Sequence, residues 1–272
     1  MTAVPASAYN AAGEVLVNRL LRAFGKTTLL TWDMLRFAFR RPFEGLALLE
    51  QMFRLGVRSL PLVGLTAVFT GAVMALQVSY TLAAYGARLY VGSFVSVAIV
   101  KELGPVLTAV MIAARVGAGI TAELGSMAVT EQIDALRALG ASPVKKLVVP
   151  RMLALIIMLP LLTILADSLG VLGGLYIAVA EIGQSSEYYW SKVREFLTIG
   201  DVVSGTGKTL FFAYFIGIIA CFNGLEVRGG ATGVGRATTN TVVAASIAIF
   251  ISNFFLAKLF LFLQTSFGGG LW

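Results

Sequence analysis

Histidine is absent from the 272 residues of this chain, and only 13% of the residues are charged. Histidine is the commonest metal ligand and a common general base among protein side chains. The acidic residues are scattered, so no paired carboxylates, metal-ligand cluster or nucleophile with an adjacent base can be recognised. The sequence therefore argues against an enzyme and against a resident metal or other cofactor.

Cysteine occurs once, at Cys221. A single cysteine forms neither an internal disulfide nor a cysteine metal cluster. Because Cys221 stands within an apolar run, we interpret it as a small buried side chain rather than as a reactive thiol.

Charge is scarce because apolar residues dominate: 58% of the chain is hydrophobic and its mean hydropathy is +0.86. A soluble domain averages about 45–50% apolar and about 25% charged residues. A water-exposed surface cannot be built from what remains, which predicts an all-α integral membrane protein. In a soluble protein the net charge of +7 would suggest nucleic acid. Here the cations stand beside apolar spans, as in a membrane protein that faces an anionic leaflet.

A basic amphipathic helix is predicted from Glu14 to Arg41 and is ended by Pro42. Its charged residues share one helical face, and leucine, phenylalanine and Trp32 fill much of the remainder. Such a helix lies flat at a membrane interface; packing of a solvated helix on another domain is the alternative. We assign residues 1–58 to this cytoplasmic or interfacial segment and residues 59–272 to a transmembrane domain.

Five apolar segments follow, each long enough to cross a bilayer. In the first, Ala67, Gly71 and Ala75 form a small-residue stripe that lets another helix approach closely. In the second, Gly104-Pro105 predicts a kink. The predicted spans are about 60–82, 94–122, 147–180, 203–222 and 241–263, and a glycine-rich loop, 224–240, joins the last two.

A short amphipathic helix is predicted at about 130–139, between the second and third spans. Thr130 is suited to cap its start, and Gly140 and Pro143 follow its end. Its candidate contact residues for a partner are Glu131, Ile133, Asp134, Leu136 and Arg137.

The distribution of cations predicts the orientation. With the N-terminus inside, the outer side receives only Arg88, Lys192 and Arg194, and the remaining loop cations are cytoplasmic. The short helix at 130–139 is then cytoplasmic, and the C-terminus is on the outer side. The first residues lack the basic stretch, apolar core and cleavage site of a secretory signal peptide.

The string SGTGKT, from Ser204 to Thr209, looks like a phosphate-binding loop. The nucleotide motif requires a further glycine at the position of Val202 and a preceding strand, and neither is expected here. The glycines of GGATGVG likewise join two spans. We therefore expect no ATP site in this chain, so that any ATP chemistry belongs to another subunit.

Charged residues within the apolar spans are the strongest candidates for functional residues in this sequence. A charge at mid-bilayer costs about 2.5–3.5 kcal/mol or more, so it usually faces a cavity or a partner. For Lys101 and Glu102 two interpretations remain open: a functional cavity, or structural pairing such as Glu102 with Lys208. Lys258 is expected to snorkel to the interface. The other charges within or at the ends of spans are Arg115, Glu123 and Asp167.

The segment from Lys101 to Ala154 begins KELGPVLTAVMIAARVGAGITAELG and closely resembles the MlaE (YrbE) family. These proteins are the permease subunits of Mla/Mce-type phospholipid ABC transporters. LPLLT at Leu159–Thr163, Asn223-Gly224 and GVGRATTNTVV at Gly233–Val243 are also similar. The resemblance therefore covers nearly the whole chain.

The resemblance implies a homodimeric permease of the bacterial inner membrane that serves outer-membrane lipid homeostasis. Cytoplasmic ATPase subunits would bind the short helix and use the ATP, and a periplasmic MCE-domain protein would sit over the dimer. Its lipid pocket would place apolar residues against the tails and cations near the phosphate. Many relatives have an acidic residue where this chain has Asn253. The implied pocket and cavity residues are Met74, Leu82, Tyr85, Lys101, Glu102 and Lys208.

Three alternative functions are considered for such a sequence: a secondary transporter or channel, an intramembrane lipid enzyme, and a permease for sterols or other apolar molecules. A secondary transporter or channel would use the intramembrane charges, but such proteins often carry inverted repeats, and only ELG recurs here, at Glu102 and Glu123. An intramembrane lipid enzyme lacks a recognisable catalytic set. A permease for sterols or other apolar molecules remains open.

Overall fold

The computed structural model describes residues 25–37 and 45–267, with side chains described as far as residue 263. Throughout these residues the regular structure is helical, and five helical segments are long and apolar enough to cross a membrane. The predicted all-α membrane fold is confirmed. The segments, named spans 1 to 5, are Gly45–Ala83, Arg88–Val129, Val144–Ala180, Ile199–Leu225 and Gly230–Leu263.

Span 1 is longer than predicted. Helix α3, Leu60–Ala83, begins at the predicted residue, but helix α2, Gly45–Leu55, and a 3₁₀ turn, Val57–Ser59, precede it in the same segment. The predicted boundary between residues 58 and 59 therefore falls inside this segment. Of the predicted N-terminal amphipathic helix, residues 25–37 are helical and form α1. Its residues 14–24 and 38–41, with Pro42, lie outside the described residues.

Span 2 is interrupted where the proline predicts a kink. It comprises α4 (Val91–Ala98), a π-helical turn (Ile99–Leu103), α5 (Gly104–Ile112), a second π turn (Ala113–Gly117) and α6 (Ala118–Val129). Pro105 has no amide hydrogen and cannot donate to the carbonyl four residues earlier. The wider turn just before it, in which the Gly104 amide donates to Ile99 O, accommodates that gap.

The short helix between spans 2 and 3 is present as α7, Gln132–Ala138. The prediction that Thr130 caps it is wrong. The Thr130 hydroxyl donates back to Ser126 O at 2.9 Å, and Glu131 occupies the capping position in the left-handed conformation, with φ 58°. Gly140, with φ +74°, follows the end of the helix as predicted.

Span 3 consists of a π turn, Val144–Val148, and α8, Val149–Ala180. Helix α9, Ser186–Phe196, leads to span 4, which is α10, Ile199–Leu225. The whole SGTGKT string lies inside α10, so the rejection of a phosphate loop is confirmed.

The prediction of a glycine-rich loop over 224–240 is wrong. Span 5 is α11, Gly230–Phe267, and only residues 226–229 separate it from α10. The first turns of α11 are held by tertiary packing, which overrides the low helix propensity of glycine. A Cβ added to Gly125 of α6 would meet the side chains of Val227 and Val234.

Spans 1 and 3 make the closest helix pair, and the predicted small-residue stripe explains it. A Cβ added to Gly71 would collide with the main chain of Gly170, and one added to Gly173 would collide with the main chain of Val68. Glycine at both crossings lets the backbones touch. In the most apolar part of spans 3 and 4, 56% of the residues are buried, compared with 28% in span 1 and 11% in span 5. Spans 1 and 5 therefore form the outer walls of the helix bundle.

Candidate functional site

Two ion pairs join span 2 to span 4 within the apolar part of the protein. The π turn Ile99–Leu103 carries two adjacent charged residues, Lys101 and Glu102. Lys101 Nζ lies 2.6 Å from Asp201 Oδ1, and Lys208 Nζ lies 2.6 Å from Glu102 Oε1. The predicted pairing of Glu102 with Lys208 is confirmed, and the structure brings three of the predicted pocket residues together. We call these four residues and Asn253 the ionic cluster.

Asp201 was not among the predicted site residues. It is the third residue of α10 and forms a capping box with Thr198. The Thr198 amide donates to Asp201 Oδ2 at 3.1 Å, and the Asp201 amide donates to Thr198 Oγ1 at 3.2 Å. The Thr-x-x-Asp spacing was the available signal. The box fixes the carboxylate, and Lys208 lies seven residues, or about two turns, further along the same helical face.

Pro105 contributes to the cluster through the main chain. Because it cannot donate to Lys101 O, that carbonyl lacks its usual helical donor. Lys208 Nζ donates to Lys101 O at 3.1 Å in addition to its bond with Glu102. The Gly-Pro interruption therefore supplies an acceptor for a buried ammonium, which needs several acceptors away from water.

Asn253 connects span 5 to the same cluster. Its amide nitrogen donates to Glu102 Oε2 at 3.0 Å. An amide can donate to Glu102, whereas an ionised carboxylate at this position cannot. Asn253 thus satisfies the second oxygen of Glu102.

The ionic cluster is buried on one side and open on the other. The side chains of Lys208 and Asp201 are 3% and 5% exposed, whereas those of Lys101 and Glu102 are 32% and 45% exposed. The span 4 residues therefore serve as fixed counter-charges, and the span 2 residues present one positive and one negative group to the outside of the protomer. Such an arrangement can meet a ligand that carries both charges.

The other predicted pocket residues lie apart from these ion pairs. Met74 and Leu82 pack on an apolar group that includes Val91 and Ile99, and Tyr85 is 80% exposed in the turn after span 1. Across residues 25–37 and 45–267, no hydrogen bond or ion pair links Met74, Leu82 or Tyr85 to the ionic cluster. Ile99 belongs to this apolar group and lies two residues before Lys101 in the π turn. The main chain of span 2 therefore connects the apolar group with the ionic cluster.

A small cavity of about 190 Å³ lies between spans 1, 2 and 3 beside this π turn. It is lined by apolar groups and threonines, among them Thr66, Ile99 and Met111. Ligand pockets commonly measure about 300–1,000 Å³. This cavity beside the π turn is therefore smaller than a site for a two-tailed lipid.

Glu123, predicted to lie at the end of span 2, joins three spans. Its two oxygens lie 3.3 Å from Arg54 Nη1 and 3.0 Å from Arg151 Nη2. Arg151 is 7% exposed and also donates to Leu147 O at 2.8 Å. Arg115 donates to Ser59 Oγ at 2.6 Å. These charges pair helices near the α7 end of the bundle.

Three motif segments that carried the family resemblance meet in a polar contact. Thr121 and Thr241 share a hydrogen bond of 2.9 Å between their hydroxyls, and Asn223 Nδ2 donates to Thr241 Oγ1 at 2.9 Å. Thr121 also donates to Ala220 O at 3.1 Å. These bonds tie spans 2, 4 and 5 together and give the motifs a structural role.

Helix α7 presents charge to the surroundings. Glu131, Asp134 and Arg137 are exposed, and Arg137 Nη1 lies 2.8 Å from Asp134 Oδ1. Ile133 is only 4% exposed and is buried within its own chain. It anchors the helix and is not available to a partner, while Leu136 is half-buried. The exposed surface of α7 therefore includes these charges, and Leu139, which follows the helix, is 82% exposed.

Helix α9 forms the opposite end of the bundle. Tyr189 is fully buried and donates its hydroxyl to Val171 O at 3.1 Å, and burial raises the pKa of this phenol. A hydrogen bond of 2.6 Å to Glu195 raises the pKa of Lys192, whose ammonium also lies 5.0 Å from the centre of the Tyr90 ring. These contacts hold α9 in a fixed position on the bundle.

Comparison with known proteins agrees with this architecture. The model of the family described as Permease MlaE matches residues 48–259. The match contains all five described spans except their outermost residues, together with α7 and the ionic cluster.

Three relatives illustrate the similarity. A probable ABC transporter permease protein from Rickettsia bellii is 40% identical over 243 residues, covering 89% of this chain and 93% of the relative. One from Synechocystis is 44% identical over 211 residues, covering 78% and 80%. The intermembrane phospholipid transport system permease protein MlaE of Haemophilus influenzae is 33% identical over 253 residues, covering 92% and 96%.

Proposed function

The chain belongs to the MlaE permease family, and from this premise we propose that it is the membrane-embedded subunit of an ABC transporter that moves phospholipid between the bacterial inner membrane and a periplasmic MCE-domain protein. The name of the Haemophilus influenzae relative supports phospholipid as the substrate. A role in outer-membrane lipid homeostasis follows from the same proposal.

The ionic cluster is the observation that carries this proposal. A phospholipid has a charged head and two apolar tails, so its site needs polar groups at the edge of an apolar surface. The open side of the cluster offers Lys101 to a phosphate and Glu102 to a head-group amine, while Asp201 and Lys208 hold these two side chains in place. We assign the tails to the apolar surface near Met74 and Leu82, with Tyr85 at its outer edge.

We further propose that the working unit is a homodimer. Span 5 is 11% buried in the protomer and exposes a row of large apolar side chains, including Ile247, Phe250 and Phe254. A partner copy across this face would enclose the open side of the cluster, because Asn253 and Glu102 lie at its edge. It would also supply the volume that the cavity of one protomer lacks.

We propose that α7 binds the ATPase subunit, which performs the ATP hydrolysis. Its exposed charges, Glu131, Asp134 and Arg137, suit an ionic groove on a soluble partner. The excess of cations near this end supports a cytoplasmic location for α7 by the positive-inside rule. The N-terminus is then cytoplasmic and the C-terminus periplasmic, and α9 faces the MCE-domain partner.

The lipid retained by the purified protein tests the proposal. We expect mass spectrometry to find phospholipid co-purifying with the wild-type chain. The double variant Lys101→Gln/Asp201→Asn should retain several-fold less, because it removes the phosphate contact without leaving a buried carboxylate unpaired. Lys258→Gln, at an exposed span 5 lysine, is the matched control. Retention of sterol instead of phospholipid, or equal retention by the double variant, would contradict this assignment.

A further inference from the structure

A second apolar groove lies on the other side of span 5 from the ionic cluster. Helix α1 covers part of the outer surface of α10 and α11 and leaves a space of about 830 Å³ between the three helices. We call this space the α1 groove. Its wall on α11 includes Ala248, Ser252 and Phe255. The next residue, Asn253, contacts Glu102 instead, so span 5 separates the two sites.

Specific contacts hold α1 in place and so maintain the groove. Lys26 Nζ lies 2.7 Å from Glu226 Oε1 at the end of α10. The hydroxyls of Thr31 and Tyr214 are 2.8 Å apart, and both residues line the groove. Met34 is 5% exposed and packs into the core. Helix α1 is therefore docked on the bundle at three points along its length.

The length of the groove corresponds to one leaflet of a bilayer. Its lining residues run from Phe211 to Asn223 on α10 and from Ala244 to Leu256 on α11. Twelve steps of about 1.5 Å along either helix span roughly 18 Å. Half of the hydrocarbon core of a bilayer is about 15 Å thick. The groove is therefore about as long as one leaflet of the hydrocarbon core is thick.

The two ends of the groove differ in polarity. The deep end is apolar and aromatic and includes Phe211 and Phe255. The other end includes Asn223 and lies beside Lys26 and Glu226. Two more cations, Arg228 and Arg236, are exposed where α10 passes into α11. Together with Lys26 and Glu226, these two arginines give the junction of α10 and α11 a net charge of +2, which is complementary to an anionic head group.

We propose that the α1 groove binds one acyl chain of an anionic phospholipid from the leaflet at the α7 end of the bundle. The chain lies between the aromatic residues of α10 and α11, and the phosphate meets Lys26, Arg228 and Arg236. An apolar slot with a cationic mouth matches the chemistry of this lipid. The inference goes beyond the proposed transport function, because occupancy requires neither nucleotide nor a second subunit.

Photolabelling of the full chain tests this site. The purified protein is placed in nanodiscs of phosphatidylethanolamine that contain phosphatidylglycerol with a diazirine in its acyl chain, and labelled peptides are identified by mass spectrometry. A diazirine near the acyl terminus should label residues 211–215 and 251–256. A diazirine next to the ester should label residues 27–31 and 219–223. Labels that show no such order along the groove would overturn the proposal.

Variants in the groove give an independent test. Ala248→Trp fills the slot and should abolish labelling, whereas Leu161→Trp places the same bulk on the exposed surface of span 3, away from the groove, and should not. Arg228→Gln and Arg236→Gln should each weaken labelling by phosphatidylglycerol about fivefold, with little effect on a phosphatidylcholine probe.

The outcomes are decisive even if Ala248→Trp fails to fold, because the wild-type map stands on its own. Absence of lipid label from the groove would overturn the lipid proposal. Separate protein cross-linking would then show whether residues 1–24 or a second copy of the chain occupies the groove instead. Lipid labelling that Ala248→Trp leaves unchanged in a folded protein would also overturn it.

Discussion

Lys208 of span 4 and Glu102 of span 2 form an ion pair of 2.6 Å in which one side chain is 3% exposed and the other 45% exposed. The ammonium therefore depends on this carboxylate and on Lys101 O, whereas the carboxylate retains access to its surroundings and also accepts from Asn253. Because the pair is asymmetric, we expect its two members to respond differently to substitution.

Glu102→Gln should destabilise the protein more than Lys208→Met. The first change leaves a buried ammonium without its counter-charge and should cost about 3 kcal/mol. The second removes that ammonium while keeping its apolar stem, and leaves a partly exposed carboxylate, so about 1 kcal/mol is expected. Unfolding in mixed micelles, followed by tryptophan fluorescence, measures both. The double variant should resemble Lys208→Met, and the reverse order of the single variants would contradict the asymmetry.

Gly71→Ala should be strongly destabilising, because the new methyl group would collide with the main chain of Gly170, which cannot move aside. Overpacking of this kind costs about 1–3 kcal/mol or more. Gly119→Ala is the matched control within another span, since a Cβ there meets nothing within 4 Å. It should be neutral or should stabilise its helix by up to about 1 kcal/mol. Equal unfolding midpoints for the two variants would refute the contact between spans 1 and 3.

Glu123→Gln should lower the free energy of unfolding by about 1–3 kcal/mol, because it leaves the buried Arg151 guanidinium without a counter-charge. Asp134→Asn is the control: it breaks the Arg137 pair on α7, where both side chains are more than half exposed. A change below about 1 kcal/mol is expected there. The two variants are compared by the same unfolding measurement, and similar losses would show that burial does not set the value of these pairs.

Reversal of charge on α7 should weaken binding of the ATPase subunit without altering the stability of the membrane protein. We expect Arg137→Glu to reduce co-purification of the ATPase expressed together with the chain, because the exposed face of α7 then carries only negative charge. The exchanged variant Asp134→Arg/Arg137→Asp keeps an ion pair within the helix but reverses its direction. It should also bind poorly. Wild-type co-purification of both variants would remove α7 from the interface.

The fold was largely predictable because bilayer crossing requires long apolar segments, and their number and centres can be read from hydropathy. The ends were less predictable. Helix α11 begins within a glycine-rich segment whose residues have a low helix propensity. Packing of Val227 and Val234 around Gly125 stabilises this part of the structure. At α7, a left-handed Glu131 replaced the expected Thr130 cap, because the threonine hydroxyl found an acceptor in its own helix.

Part of the site was also predictable. Lys101, Glu102 and Lys208 were identified because charges are costly in apolar spans, and the pairing of the last two follows from the same cost. Asp201 was missed because it stands two residues before the predicted fourth span, 203–222, and so outside the apolar stretch in which a charge is costly. The positions of Met74, Leu82 and Tyr85 relative to the cluster depend on how spans 1 and 2 pack, which residue spacing alone does not determine. Their role in lipid binding stays a prediction.

Because span 2 contains two π turns, the side of the helix on which a residue lies depends on the number of residues in each turn. Each turn accommodates one residue more than the α-helical repeat, which rotates everything beyond it by about 100°. Deleting a single residue between Ile99 and Leu103 would thus leave span 2 helical and apolar while swinging its second half through more than a quarter of a revolution. Arg115 would then leave Ser59 and Glu123 would leave Arg151. The register of the two π turns therefore decides which side chains of span 2 face spans 1 and 3.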